Sequence, residues 1–299
     1  MLEIELNGLR FINPLILASG ILDESGDTML RVADAGAGGI VTKSVGVEPR
    51  EGYENPVIYE LPYGLLNAMG LPNPGIGNYE EEIKRVKKAN VPIIGSVFGK
   101  TGEEFIYLAK KMEEYGADAV ELNLSCPHAK GYGMEIGVDA EFVEEIVEGV
   151  KKSVNIPVWA KLTPNTDSIL KIARAAEKAD ALVLINTVKA MAIDIDAKMP
   201  VLKNIFGGLS GPAIKPIGIR AVYEVYREVK KPIIGVGGIT YGRDALEYIM
   251  AGASAVEIGT AIYYRGLNVF KKISHEIEDW MRKNGYDEIK ELVGIAQVR

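Results

Sequence analysis

The sequence predicts an α/β fold, a (β/α)8 TIM barrel built as one domain over residues 1–299. Three observations point to it. Short, apolar, β-rich runs alternate with longer amphipathic, charged stretches about eight times along the chain. The apolar runs are continuous rather than alternating, as in a parallel sheet buried on both faces. Glycine closes several of the amphipathic stretches just before the next apolar run, in AGAG (35–38), YGAD (115–118) and AGAS (251–254). The number of units favours a closed barrel over an open doubly wound sheet.

The elements follow in order. PLILAS (14–19) reads as the first strand, with a helix over 26–36. GGIVTK (38–43) leads to a helix over 79–89, and VPIIGSV (91–97) to one over 101–116. ADAVELN (117–123) precedes 139–153, and IPVWAK (156–161) precedes 167–179. ALVLIN (181–186) precedes 212–230, KPIIGVGG (231–238) precedes 242–252, and ASAVEIG (253–259) precedes 265–284. Three connections, 44–75, 124–138 and 187–211, are too long to be plain linkers. Each follows a strand, so in a barrel all three insert at the C-terminal face, where barrel active sites lie.

Composition narrows the function. A single cysteine, Cys126, excludes an intrachain disulfide framework and any cluster of cysteine ligands, so no metal site is expected on this chain. A free thiol fits a reducing, cytoplasmic setting. The net charge of −7 argues against nucleic acid as the main partner. The opening MLEIELNGLRF places charges too early for a signal peptide, and no apolar run reaches the roughly 18 residues of a spanning helix. No membrane association is expected.

The strand runs end in polar residues: Lys43, Asn123, Lys161 and Asn186. A lysine at the rim of a buried barrel is costly unless it meets an anion or a carboxylate. Two lysines and two asparagines on one rim describe a polar, cationic site for a flat, hydrogen-bonding anion. GVGGI (235–239) and EIGTA (257–261) place glycines at the ends of the last two strands, where backbone N–H groups can approach a phosphate. GGLSGPAIKP (207–216) adds a further glycine-rich approach. A phosphorylated planar cofactor such as FMN would fill both halves, and so would a phosphosugar; composition and spacing leave the two open. With a phosphosugar, Lys161 would serve as an imine-forming nucleophile of an aldolase or isomerase.

The motifs resemble those of dihydroorotate dehydrogenase nearly end to end. NPLILASG (13–20), VTKSV (41–45), NAMGLPNPG (67–75), ELNLSCPH (121–128), INTVKAMAIDI (185–195), GGLSGPAIKP, GVGGI and EIGTA occur in that family's order. The resemblance implies oxidation of (S)-dihydroorotate to orotate in de novo pyrimidine (UMP) biosynthesis, with FMN accepting the hydride from C6. It implies FMN contacts at Ser19, Lys43, Ser44, Asn123, Lys161, Ile185, Gly211, Gly237, Gly238, Gly259 and Thr260. It implies a substrate shell of Lys43, Asn67, Ala68, Met69, Gly70, Leu71, Asn123, Asn186 and Thr187. Cys126 matches the catalytic base that takes the C5 proton. Outside this setting, a free cysteine is most often a small buried hydrophobe.

The cysteine loop, CPHAKGYGMEIG, is similar to that of the NAD-linked, two-subunit class 1B catalytic subunit. That class implies a partner subunit carrying FAD and [2Fe–2S] and a homodimer core within a heterotetramer. A cysteine base also separates the chain from the quinone-linked class, which uses serine. There are two departures. His128 stands where asparagine usually follows the Cys-Pro pair, and Ser96 stands where asparagine is usual near the flavin, its shorter side chain leaving that contact to water. The competing readings are another flavin barrel acting on a dihydropyrimidine, such as dihydropyrimidine dehydrogenase or dihydrouridine synthase, and a fumarate-linked dihydroorotate dehydrogenase. The acidic charge argues against a tRNA substrate.

Overall fold

The computed structural model describes residues 1–124 and 136–298. Eight parallel strands close into a barrel: β1 (Leu15–Leu17), β2 (Gly39–Val41), β3 (Ile93–Val97), β4 (Ala119–Asn123), β5 (Val158–Leu162), β6 (Ala181–Leu184), β7 (Ile233–Val236) and β8 (Ala255–Ile258). Each pairs with the next in sequence, and β8 returns to β1 with Glu257 opposite Ile16. The helices between them are α1 (Gly26–Asp34), α2 (Glu80–Val86), α3 (Gly102–Tyr115), α4 (Ala140–Lys151), α5 (Ile169–Ala175), α6 (Lys215–Glu228) and α7 (Gly242–Ala251). The helix expected over 265–284 is α9 (Val269–Asn284), and a short helix not expected from the sequence, α8 (Ala261–Arg265), precedes it and ends at Gly266, whose φ is 73°.

Helix starts follow side-chain chemistry. Ser25, Thr101, Asp139 and Ser168 each accept a backbone N–H from the first turn of α1, α3, α4 and α5. The apolar faces of the helices pack against the outward side chains of the strands in one large cluster that includes Leu17, Met112, Leu122, Ile146 and Tyr248. A second cluster, with Ile16, Val41, Ile94, Ala119, Trp159, Val183, Ile234 and Ala255, fills the barrel itself.

The barrel's N-terminal end is closed by a hairpin of Ile4–Leu6 and Leu9–Phe11. Its turn is Asn7-Gly8, with φ of 52° and 78°, the pair that a tight hairpin turn favours. Phe11 and Leu6 enter the barrel cluster, and Trp159 Nε1 donates to Asn7 Oδ1 at 2.9 Å.

The long connections differ from plain loops. Ile58–Leu61, Gly64–Asn67, Gly207–Ser210 and Val188–Ala190 form a four-stranded antiparallel sheet that ties 44–75 to 187–211. Ile193–Asp194 and Met199–Pro200 form a further short ladder. These strands are two to four residues long, and the pairing of Gly64–Asn67 with Gly207–Ser210 joins segments remote in sequence. No local periodicity therefore marks them. Among the described residues, no helix is long and apolar enough to cross a membrane.

Candidate active site

At the C-terminal end, the apolar filling of the barrel gives way to a charged layer. Glu121 on β4, Lys161 on β5 and Glu257 on β8 all point inward and are buried. Lys161 Nζ lies 2.6 Å from Glu257 Oε2 and 3.5 Å from Glu121 Oε1. Burial alone favours the neutral amine, but the Glu121 and Glu257 carboxyl groups outweigh it and hold Lys161 above its ordinary pKa. Burial pushes the Glu121 carboxyl well above the usual range, and Glu257 pushes it further against the pull of Lys161. Among the described residues, Glu121 Oε2 and Glu257 Oε1 have no hydrogen-bond partner.

A row of serines runs from this layer to the rim. Ser96 Oγ donates to Glu121 Oε1 at 3.4 Å and lies 2.7 Å from Ser44 Oγ, which in turn lies 3.1 Å from Ser19 Oγ. Ser19 Oγ donates to Asp23 Oδ2 at 3.2 Å, and Asn123 Nδ2 donates to Ser44 Oγ at 3.1 Å. The hydroxyl of Ser96 is fully buried and held by protein atoms, between Ser44 and Glu121.

Asp23 is 1% exposed, and burial raises its carboxyl pKa despite the nearby Lys43 charge and the hydrogen bonds from the Gly20 N–H and Ser19. The folded state therefore holds this proton more tightly than the unfolded chain does. The stability it contributes is complete below an ordinary aspartate pKa of about 4 and is lost as pH rises through the raised value. Asp23→Asn is expected to remove this loss. Urea unfolding measured from about pH 4 upward should show wild type falling relative to the variant by at most about 1.4 kcal/mol per pH unit. Parallel curves would show that Asp23 does not titrate in this way.

Above Lys161 an open cleft holds about 600 Å3 of space free of protein atoms. Its floor is Lys161, Glu257, Ala18 and Ser19; its far wall is Gly237, Gly238, Gly259 and Thr260 at the ends of β7 and β8. Gly238 has a φ of 70°, and a Cβ there would meet Gly211 O at 2.8 Å and Lys215 N at 2.9 Å. Gly237 O is in turn fixed by Tyr248 OH at 2.7 Å. Backbone is thus exposed to the cleft where a side chain would not fit. A wall of glycine backbone suits a phosphate, and a buried ammonium suits an electron-rich ring edge. The residues present fit FMN.

A model described as dihydroorotate dehydrogenase matches residues 1–281. The chain belongs to the dihydroorotate dehydrogenase family. A relative from Thermoplasma acidophilum, called dihydroorotate dehydrogenase B (NAD(+)), catalytic subunit, is 59% identical over 289 residues, covering 97% of this chain and 96% of the relative. Proteins of the same name from Pyrococcus abyssi and Methanocaldococcus jannaschii are 56% and 53% identical, each over 99% of this chain and over 99% and 98% of their own lengths.

The site residues implied by the dihydroorotate dehydrogenase motifs fall into three groups. Ser19, Lys161, Ile185, Asn186, Thr187, Gly211, Gly237, Gly238, Gly259 and Thr260 line the cleft. Lys43, Ser44 and Asn123 are buried beside it, with Ser44 and Asn123 joined to it through Ser19. Asn67 to Leu71 do not line it. Asn67 Nδ2 donates to Gly208 O, and Met69 and Gly70 accept from Tyr53 N and Arg50 Nε within the 44–75 insertion. Cys126 and His128 lie outside the described residues. The sequence reading missed Glu121, Glu257 and Asp23. The signal for the first two was present, in the lone glutamate of each of ADAVELN and ASAVEIG, since an acid inside an apolar strand requires a cation.

Proposed function

We propose that the chain oxidises (S)-dihydroorotate to orotate, in de novo pyrimidine synthesis, with FMN bound in the cleft. The observation that carries this reading is the cleft itself: a glycine wall at one end and the Lys161 ammonium at the other, in a member of the dihydroorotate dehydrogenase family. FMN, when bound, supplies an acceptor for the hydride from C6 of the substrate.

The chain's own residues do the rest. Gly237, Gly238, Gly259 and Thr260 would hold the phosphate of FMN, and the Lys161 ammonium would balance negative charge on its ring. Cys126 takes the C5 proton. Lys43, buried at the rim, balances the substrate carboxylate, while Asn123, Asn186 and Thr187 offer donors and acceptors to its ring amides. Residues 67–71 are the remaining members of the substrate shell.

Electrons leave through a partner to NAD. The relatives are each called a catalytic subunit of an NAD(+) enzyme, which supports a separate electron-transfer subunit. FAD and [2Fe–2S] belong to that subunit, because one cysteine cannot supply a cluster's ligands. Ile58, Tyr59, Ile193, Ile195 and Met199 expose apolar side chains on the inserted strands and the turn between the last two, which supports a homodimer core of a heterotetramer. The assembly works in the cytoplasm.

The test is dihydroorotate oxidation by NAD with and without the partner subunit. NAD-linked turnover should require the partner. Robust fumarate-linked turnover by the isolated chain would contradict the electron route.

A further inference from the structure

Glu121, Lys161 and Glu257 present two carboxyl groups to one ammonium inside the barrel. If both were ionised, the cluster would bury a net negative charge, a state that a poorly screened interior strongly disfavours. One ammonium balances one carboxylate. Glu257, at 2.6 Å, makes the closer pair, and Glu121, at 3.5 Å, is the spare. Among the described residues, each carboxyl also keeps one oxygen unpartnered, Glu257 Oε1 and Glu121 Oε2, and Glu257 forms part of the cleft floor. The cluster therefore has room for a proton and a reason to take one.

We propose that Glu121 and Glu257 share a single negative charge, and that the pair takes up one proton when a further negative charge enters the cleft beside Lys161. This inference rests on the FMN reading, since a reduced flavin ring brings such a charge. Drawn toward the ring edge, the Lys161 ammonium leaves its carboxylate less compensated. A carboxylate and an anionic ring then face each other in a poorly screened interior, and protonating the carboxylate relieves the repulsion.

Among the described residues, the ionisable groups facing the cluster are its own three members, on β4, β5 and β8. Asp23 and Lys43 lie farther off, beyond the serines. The path Glu121–Ser96–Ser44–Ser19–Asp23, with steps of 3.4, 2.7, 3.1 and 3.2 Å, links the cluster to the rim. Hydroxyl groups both donate and accept, so this row can pass a proton inward. The substrate's hydride carries two electrons and one proton to the ring, and its second proton goes to Cys126. The proton proposed here comes from water, forms one O–H bond on a cluster carboxylate, and leaves again when the ring is reoxidised.

Glu257 and Glu121 are positioning residues, acting through Lys161, and their signature is spectroscopic. Infrared difference spectra of the flavin-loaded chain, reduced electrochemically, should gain one protonated-carboxyl band per flavin. The band distinguishes a protonated carboxyl from a proton added to the ring. Glu121→Gln and Glu257→Gln should each retain the gain, because the remaining carboxylate carries the shared charge. The double variant should lose it. No gain in wild type, its loss in either single variant, or its survival in the double variant would overturn the proposal. Wild type and the single variants decide the matter even if the double variant does not fold. A chain that fails to bind FMN overturns the flavin reading along with this one; a chain that binds and reduces FMN without the band overturns this one alone.

Discussion

Lys161→Met is expected to lower the stability of the chain by about 3–5 kcal/mol, the cost of leaving a buried charge without its partner. Lys161 is the counter-ion of two carboxyl groups that are 0% and 1% exposed, and the strands around them offer no replacement cation. Methionine fills much of the same volume, so the loss reports charge rather than a cavity. The variant should also purify with little flavin, because the ring edge loses its cation. Adding Glu121→Gln and Glu257→Gln should restore most of the stability without restoring flavin, since a buried charge cluster can be exchanged for uncharged side chains at little cost. Denaturant unfolding and flavin content measure the two effects separately. A single variant as stable as wild type would show that the cluster is not an ion-paired unit.

The second large effect falls on catalysis. Cys126→Ala is expected to slow flavin reduction by dihydroorotate by roughly a hundred- to ten-thousandfold, the usual worth of a positioned general base. FMN content should not change, since no reading places Cys126 against the cofactor. The thiolate, not the thiol, accepts the proton, so the wild-type rate of reduction should rise with pH as the thiol ionises. In the variant this rise should vanish. Stopped-flow reduction under anaerobic conditions gives both readings, and near-normal reduction of Cys126→Ala would remove the cysteine from the mechanism.

The barrel was legible because its strands announce themselves locally. Continuous apolar runs such as PIIGV and ALVL suit a parallel sheet buried on both faces, and the glycines of AGAG, YGAD and AGAS mark where three of the helices must stop. The inserted sheet was not legible. Gly64–Asn67 and Gly207–Ser210 are short and glycine-bearing, and they become strands only because the fold brings them together. The N-terminal hairpin sits between these cases: Asn7-Gly8 between IEL and LRF is a strong turn signal, but its role in plugging the barrel depends on Trp159, far along the chain.

The candidate site divides in the same way. Gly237, Gly238 and Gly259 at strand ends, and Lys161 at the rim, follow from strand position alone, and the cleft contains all four. Glu121 and Glu257 required a further step, the question of what compensates Lys161 once it is buried. The sequence reading recognised that such a lysine needs an anion but looked for that anion in a ligand, whereas the structure supplies it first from the neighbouring strands. Ser96 is a similar case. As a lone serine in VPIIGSV it reads as a shortened contact, and only the approach of Ser44 from the segment after β2 and Glu121 from β4 turns it into a link between the charged layer and the rim.

The central claim, that the cleft of this chain oxidises dihydroorotate through bound flavin, is tested most directly by one anaerobic experiment. The isolated, flavin-loaded chain is mixed with dihydroorotate, without partner or other acceptor, while the visible flavin absorbance and the orotate formed are followed together. The flavin band should bleach, and one orotate should appear for each flavin reduced. A flavin band that stays unchanged in excess dihydroorotate, with no orotate formed, would contradict it.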